Sequence, residues 1–430
     1  MRSLMTTRGR AAAIFLLSLA LNLAFIFIFV NTNRFPQLNS KQIGDSGVDI
    51  AVNLLAGRGY FQEFENLRYE LWRPPTFPLL LAGLFAIVGK SFLAVRVLVA
   101  VFGALAAVTA FQLGRRLWNE RVGTIAGVVV ALNPGTIFSS GITGPENLIA
   151  LLLLLTFLAL LRLRETLSAR DAALAGGLIA LTALTKTFYV IFPLLAAAWL
   201  MVQKADKRRL ARGAAVLCAS FALVVSPWVI RNWVTVGKPR LATTDAAMVF
   251  WTANTESWLT APHTNVPWPP PEYFQSFESL RSMDELTRDR WFFDEAIKSI
   301  KAHPGLYAAR VVDRVWVMWK PFPYAQHYPG LMSKLRVAVM VVTFVPMFAL
   351  FLLGVWKLRR EARTFSIVYL VILAVTGSTA LVHSVIRYRT PMEPLMILLA
   401  AFAADELLRA RGARRAAATA PTVGDAATPR

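Results

Sequence analysis

The chain has almost no cysteine. Cys218 is the single thiol in 430 residues, so no intrachain disulfide can form and the compartment is not legible from redox. Histidine is scarce too: His263, His303, His327 and His383 are the four, none at metal-ligand spacing. There is no Gly-x-Ser-x-Gly elbow and no phosphate-cradling glycine-rich loop, so a serine hydrolase and a nucleotide-binding fold both lack their signatures. Charge is sparse at 17%, and acids are the scarcer sign, 25 against 46 lysines and arginines. The net +21 does not mark a nucleic-acid binder. The basic residues cluster in short connections between apolar runs, where they orient a membrane protein.

The apolar runs themselves set the class. The chain is 56% hydrophobic with a mean hydropathy of +0.51, and runs of roughly 18 residues recur, enough to cross about 30 Å of hydrocarbon as helices. An all-α polytopic membrane protein follows. The first run, 11–30, follows Arg2, Arg8 and Arg10 and ends without a small-x-small cleavage site, so it reads as an uncleaved first helix. Further spans are expected near 93–114, 121–140, 146–163, 171–186, 188–203, 211–229, 331–356, 364–383 and 391–408, about ten in all. Both termini are then cytoplasmic in a cell inner (plasma) membrane, with the basic loops on that side. The apolar run 76–89 is short for a span and is placed as a juxtamembrane or re-entrant helix on the outer face.

Two outer segments result, 31–92 and 230–330. The second is a small soluble segment rich in Trp and Pro, with an amphipathic helix expected over 284–303 and ended by Pro304. Residues 1–408 form one transmembrane unit, and 409–430 read as a disordered cytoplasmic tail.

The first outer segment carries the densest chemistry, GDSGVDIAVNLLAGRGYFQEFENLRYELWRPP over 44–75. Asp45 and Asp49 share a helix face. A carboxylate in a partly desolvated loop can take a proton from a hydroxyl nucleophile, which makes Asp45 a candidate general base; a helix cap explains the same letters. Arg73, ahead of a Pro-Pro turn, suits a phosphate through its planar fork, or a lipid headgroup by snorkelling. Glu146 opens an apolar run, where an acid complements the helix dipole. Lys186, between two spans with almost no loop, is costly unless paired with an anion. Arg231, Arg387 and Arg389, with Tyr388 between the last two, stand at outer ends of spans against the positive-inside bias. Cations gathered there from distant segments are what an anionic lipid headgroup requires.

The order of these motifs carries a resemblance. Ala51, Asn53, Leu54, Gly57, Gly59 and Tyr60 are followed by RPPTFPLLLAGLFAIVG, LGRRLW, GPENL, LTALTK, SPWVIRN, KSIKAHPGLY and RYRTPMEPLMILLAA. Over about 11–408 the chain resembles bacterial glycosyltransferases of the GT-C fold, specifically family 39, the protein mannosyltransferase and aminoarabinose transferase-like group. The resemblance implies an enzyme that takes a sugar from a polyprenyl-phosphate carrier on the outer face and passes it to an acceptor hydroxyl, usually with inversion. The acceptor is a glycan, lipid or protein. The family's catalytic aspartate maps onto Asp45, although the spacing to Ala51 is shorter than in relatives, which leaves Asp49 open as the base. The family's phosphate-contacting basic residue maps onto Arg73. Lys186, Arg231 and Arg387 are assigned to the same phosphate by their outer-face position. No cofactor is called for, with a divalent cation the one group left open. A non-catalytic lipid-linked sugar flippase would need the cations but no carboxylate at a reacting centre. A polymerase or ligase using lipid-linked glycans shares the architecture.

Overall fold

The computed structural model describes residues 6–31, 47–64, 66–260, 272, 279–322 and 331–419. Asp45 lies outside them. The chain is a helical bundle with one small hairpin. Its first helix, α1 (Thr7–Phe25), runs on into a wider turn, Ile26–Val30. A short helix α2 (Val48–Leu55), strands β1 (Gln62–Phe64) and β2 (Leu67–Tyr69), and α3 (Thr76–Val88) follow. The two strands pair antiparallel, Gln62 opposite Tyr69 and Phe64 opposite Leu67. At 13 residues α3 is about 20 Å long, too short to cross.

The bundle continues with α4 (Phe92–Leu117), α5 (Glu120–Ala131), α6 (Pro134–Gly141), α7 (Glu146–Thr166), α8 (Ala169–Ala183), α9 (Phe192–Met201) and α10 (Lys207–Val236). Three helices come next, α11 (Asp245–Thr252), α12 (Glu256–Thr260) and α13 (Glu285–Ala302). The chain closes with α14 (Pro304–Trp319), α15 (Leu331–Lys357), α16 (Ala362–Val382) and α17 (Glu393–Thr419). Among the described residues five stretches are long and apolar enough to span a membrane, six if the bent pair α5 and α6 counts as one span. The stretch Val337–Val382 runs through both α15 and α16. The chain is a multi-pass membrane protein.

Several boundaries differ from the sequence reading, each for a local reason. The span expected over 121–140 breaks at Leu132, because the Asn133 side chain caps a new helix at Gly135 N (2.8 Å) and Pro134 occupies its first turn. Pro304 does not merely stop α13; it opens α14, where its missing N–H costs nothing. The expected amphipathic helix forms, with the Asp284 carboxylate accepting from Leu286 N and Thr287 N. The C-terminal helix runs to Thr419, past the point where a disordered tail was expected, since its Ala and Arg are strong helix formers.

Glycine lets two spans meet. A Cβ on Gly176 of α8 would sit 2.2 Å from the Leu217 carbonyl oxygen of α10, the close backbone approach that small residues permit between membrane helices. The main core gathers α1, α4, α5 and α7 to α10 with α14 to α17 around residues such as Phe111, Leu154, Trp199 and Phe365. A separate aromatic core, Tyr69, Trp72, Trp251 and Phe292 among others, seals the hairpin against α11 and α13.

Ion pairs orient the bundle. Arg10 pairs with Glu120, Arg116 with Glu165, Arg121 with Asp405 and Lys357 with Glu406, so the basic connections meet at one end. Helix α7 runs from Glu146 to this end at Glu165, about 30 Å away. The face at Glu146 is therefore the opposite one.

Candidate functional site

A cavity of about 270 Å³ opens at that opposite face, lined by Arg73, Lys186, Thr187, Asp245, Arg387 and Tyr388 among others. Its cations arrive from three distant segments. Arg73 stands on the loop between β2 and α3, Lys186 on the link after α8, and Arg387 on the turn Ile386–Tyr388 between α16 and α17. Backbone bonds fix these loops to one another. Thr76 N donates to Leu184 O (3.0 Å), which fastens the Arg-Pro-Pro turn beside Lys186, and Thr244 N donates to Leu71 O (3.0 Å). Tyr60 Oη donates to Arg73 O at 2.8 Å.

The three cations differ in their partners. Arg73 pairs with Asp245, whose other oxygen accepts from Thr243 Oγ1 at 2.5 Å. Arg387 Nε lies 2.5 Å from Glu146 Oε1, at the start of α7. Lys186 Nζ stands 5.4 Å from the ring centres of both Phe188 and Tyr388, which meet edge to face at 5.2 Å. It has no carboxylate within ion-pair distance among the described residues. A half-buried ammonium held by two rings and no anion is a costly arrangement in a protein, and it faces the cavity.

The remaining sequence candidates sit elsewhere. Arg231 does not line the cavity. Its guanidinium donates to Tyr60 O (2.7 Å), Glu70 O (2.8 Å) and the Glu70 carboxylate (2.7 Å), pinning the hairpin to α10. Arg389 is buried at 1% exposure and donates to Glu393 (2.8 Å), Met318 O (2.9 Å) and Lys320 O (3.1 Å). It lines a second, mostly apolar cavity of about 250 Å³ with Glu393, and the strip Ile386–Thr390 separates the two cavities. Asp49 is exposed on the first turn of α2. Gly47, two residues past Asp45, has φ +92° and packs so closely that a Cβ there would meet Pro78 Cγ at 2.4 Å. Pro78 is part of the cavity wall, so the chain leaves the described region at the rim of the site.

Two residues were missed. Asp245 gives no signal in sequence beyond a helix start after TT, and its partner is 172 residues away. Glu285 is buried and ties the site together: its carboxylate accepts from Glu70 N (2.6 Å), Leu71 N (3.0 Å) and Thr244 Oγ1 (2.6 Å). It thus holds the strand leading to Arg73 against the residue before Asp245. Burial pushes the Glu285 carboxyl above its ordinary value, and burial does the same to Asp289, against the opposing pull of Arg240. Neither was distinguishable from a solvated helix face. For a divalent cation the donor set is poor, because Asp245 and Glu146 are each paired with an arginine. Among the described residues no three metal-ligating side chains come together.

The comparisons agree on the fold. The family model for dolichyl-phosphate-mannose-protein mannosyltransferase matches residues 72–231, the stretch holding Arg73, Glu146, Lys186 and Arg231. No curated protein sequence matches the chain. Among solved structures, the archaeal oligosaccharyltransferase AglB from Archaeoglobus fulgidus, in complex with an inhibitory peptide and a dolichol-phosphate, is 15% identical with a TM-score of 0.55. The alignment covers 98% of this chain and 52% of that one. ArnT from Cupriavidus metallidurans, bound to undecaprenyl phosphate, is 15% identical with a TM-score of 0.52, over 92% of this chain and 58% of that one. The chain thus spans little more than half the length of these structures. It has the GT-C fold of the membrane glycosyltransferases. Within that fold it is similar to the family-39 group.

Proposed function

We propose that the chain is an integral-membrane glycosyltransferase that moves a sugar from a polyprenyl-phosphate carrier to an acceptor hydroxyl at the outer face of the plasma membrane, with inversion. The observation that carries this reading is the convergence of Arg73, Lys186 and Arg387 on one cavity, at the end of the bundle away from the basic loops. Orientation of that end toward the outside follows from the positive-inside bias.

The chemistry follows from the charges. The acceptor oxygen forms a bond to the anomeric carbon as the carbon–oxygen bond to phosphate breaks, and the bonding electrons leave with the phosphate oxygen. Negative charge therefore grows on the phosphate in the transition state. Fixed cations aimed at it stabilise that state more than the ground state. Lys186 is the group with charge uncommitted to a carboxylate, and Arg73 and Arg387 flank it. Asp45 accepts the acceptor's proton, a role supported by the position of Gly47 against the cavity wall; Asp49 takes it if the shorter spacing shifts the base. Arg231 and Arg389 act on the site through the segments they hold. The acceptor is a glycan, lipid or protein, and the sugar transferred is a hexose or a pentose.

Mass spectrometry of lipids and envelope glycans from cells with and without the gene tests the reading. Loss of one sugar from an acceptor, with accumulation of its lipid-phosphate donor, is expected. Loss of the sugar with the donor stranded at the inner face, and no donor at the outer face, would instead mark a flippase.

A further inference from the structure

Among the described residues, Arg73, Lys186 and Arg387 line this cavity with Asp245, which pairs with Arg73, while Glu146 pairs with Arg387. The two carboxylates are not equivalent. Glu146 is 5% exposed at the base of α7 and belongs to the bundle. Asp245 lines the cavity itself, at the first turn of an eight-residue helix of the outer lobe, with its side chain 15% exposed. An incoming phosphate that reaches Lys186 and Arg73 together would place its oxygens against the Asp245 carboxylate. Two anions in contact repel strongly where water is scarce.

Resting on the function proposed above, we infer that Asp245 is a resident counter-anion of the donor site: it holds Arg73 in the empty cavity and yields that guanidinium to the lipid phosphate. The consequence is selectivity. A donor site at a membrane boundary meets headgroups that are largely phosphates, and cations held there without a counter-anion would bind any of them. A ligand must displace Asp245 to use Arg73, and a ligand that also engages Lys186 and Arg387 has the charge contacts to do so. Asp245 is in this sense a specificity-determining residue. Its carboxylate stays near Thr243, whose hydroxyl already donates to it, so release from Arg73 does not leave it without a partner.

The test uses the full-length protein in nanodiscs of uncharged lipid, with undecaprenyl phosphate as the probe. Asp245→Asn keeps the shape and removes the competing charge, and it should tighten binding by about tenfold, the lower range for one charged hydrogen bond. Arg73→Ala should weaken binding more in the Asp245→Asn background than in the wild type, because only in the wild type must the guanidinium give up the Asp245 carboxylate to reach the phosphate. Weaker binding by Asp245→Asn, or an Arg73→Ala cost identical in both backgrounds, overturns the inference. A second measurement needs no variant: a structure of the wild-type protein with bound undecaprenyl phosphate should show Arg73 on the phosphate and parted from Asp245. An intact Arg73–Asp245 pair beside the bound lipid overturns it too. No binding by the wild type at all would instead refute the phosphate site itself.

Discussion

Replacing Lys186 by Met separates function from folding. The ammonium lies between Phe188 and Tyr388, 5.4 Å from each ring centre, and methionine fills nearly the same volume with an adaptable apolar chain. Removing a charge that has no carboxylate partner among the described residues should leave the fold as stable as before or slightly more so, since the desolvation cost disappears with the charge. Transfer should suffer. One charged hydrogen bond to the leaving phosphate is worth about 1.5–3 kcal/mol, which corresponds to about a 10- to 150-fold loss in kcat/KM. The assay is initial-rate sugar transfer from a polyprenyl-phospho-sugar by purified protein, with the melting temperature followed in parallel by intrinsic fluorescence. A variant that melts at or above the wild-type temperature and transfers sugar within twofold of its rate would refute the role given to Lys186. So would a parallel collapse of both quantities, because that would make the lysine structural.

Other outcomes follow from named contacts. Asp45→Asn should abolish transfer while retaining donor binding, since asparagine keeps the shape and loses only the proton-accepting charge, and Asp49→Asn should be milder; reversed severities would move the base to Asp49. Glu285→Gln places an amide N–H against donors now satisfied by the carboxylate, so the outer lobe should lose about 1–3 kcal/mol, read as an earlier melting step in the fluorescence of Trp251 and Trp291. The same lobe should lose stability as pH rises above the unfolded-state carboxylate values of about 4. Burial raises the folded-state values of Glu285 and Asp289, so the native lobe holds protons that the unfolded chain, titrating near pH 4, has released. Its stability then falls as pH rises through the folded values, and a melting temperature that rises across that interval would contradict the assignment. Gly176→Leu should force α8 from the Leu217 carbonyl and cost about 1–3 kcal/mol, measured as loss of monodisperse protein on heating.

The sequence made the membrane class, the order of apolar helices and the cations of the cavity legible, because each rests on local signals: run length, loop charge, and arginine at the end of a span away from the basic loops. Arg73, Lys186 and Arg387 were recognisable as individuals on that ground. Their partners were not. Asp245 and Glu285 look like ordinary first-turn acids, and what distinguishes them is contact with the strand leading to Arg73, set by how the outer lobe folds back on the hairpin. The same limit misplaced Arg231. Its position at an outer helix end is visible, but the carbonyls of Tyr60 and Glu70 that occupy its guanidinium are a tertiary fact. The break at Asn133–Pro134 was readable as chemistry, yet the apolar residues on both sides masked it within one hydropathic run.

The central claim is that Arg73, Lys186 and Arg387 hold the phosphate of a lipid-linked sugar while the sugar is transferred. The most direct measurement is single-turnover reaction of the reconstituted protein with a labelled polyprenyl-phospho-sugar and an envelope extract, with lipid and acceptor products resolved by mass spectrometry. Release of polyprenyl phosphate, matched by one sugar added to the acceptor and lost when Lys186 or Arg387 is neutralised, is the predicted result. Donor recovered intact on the other side of the bilayer, with no acceptor modified, would contradict it.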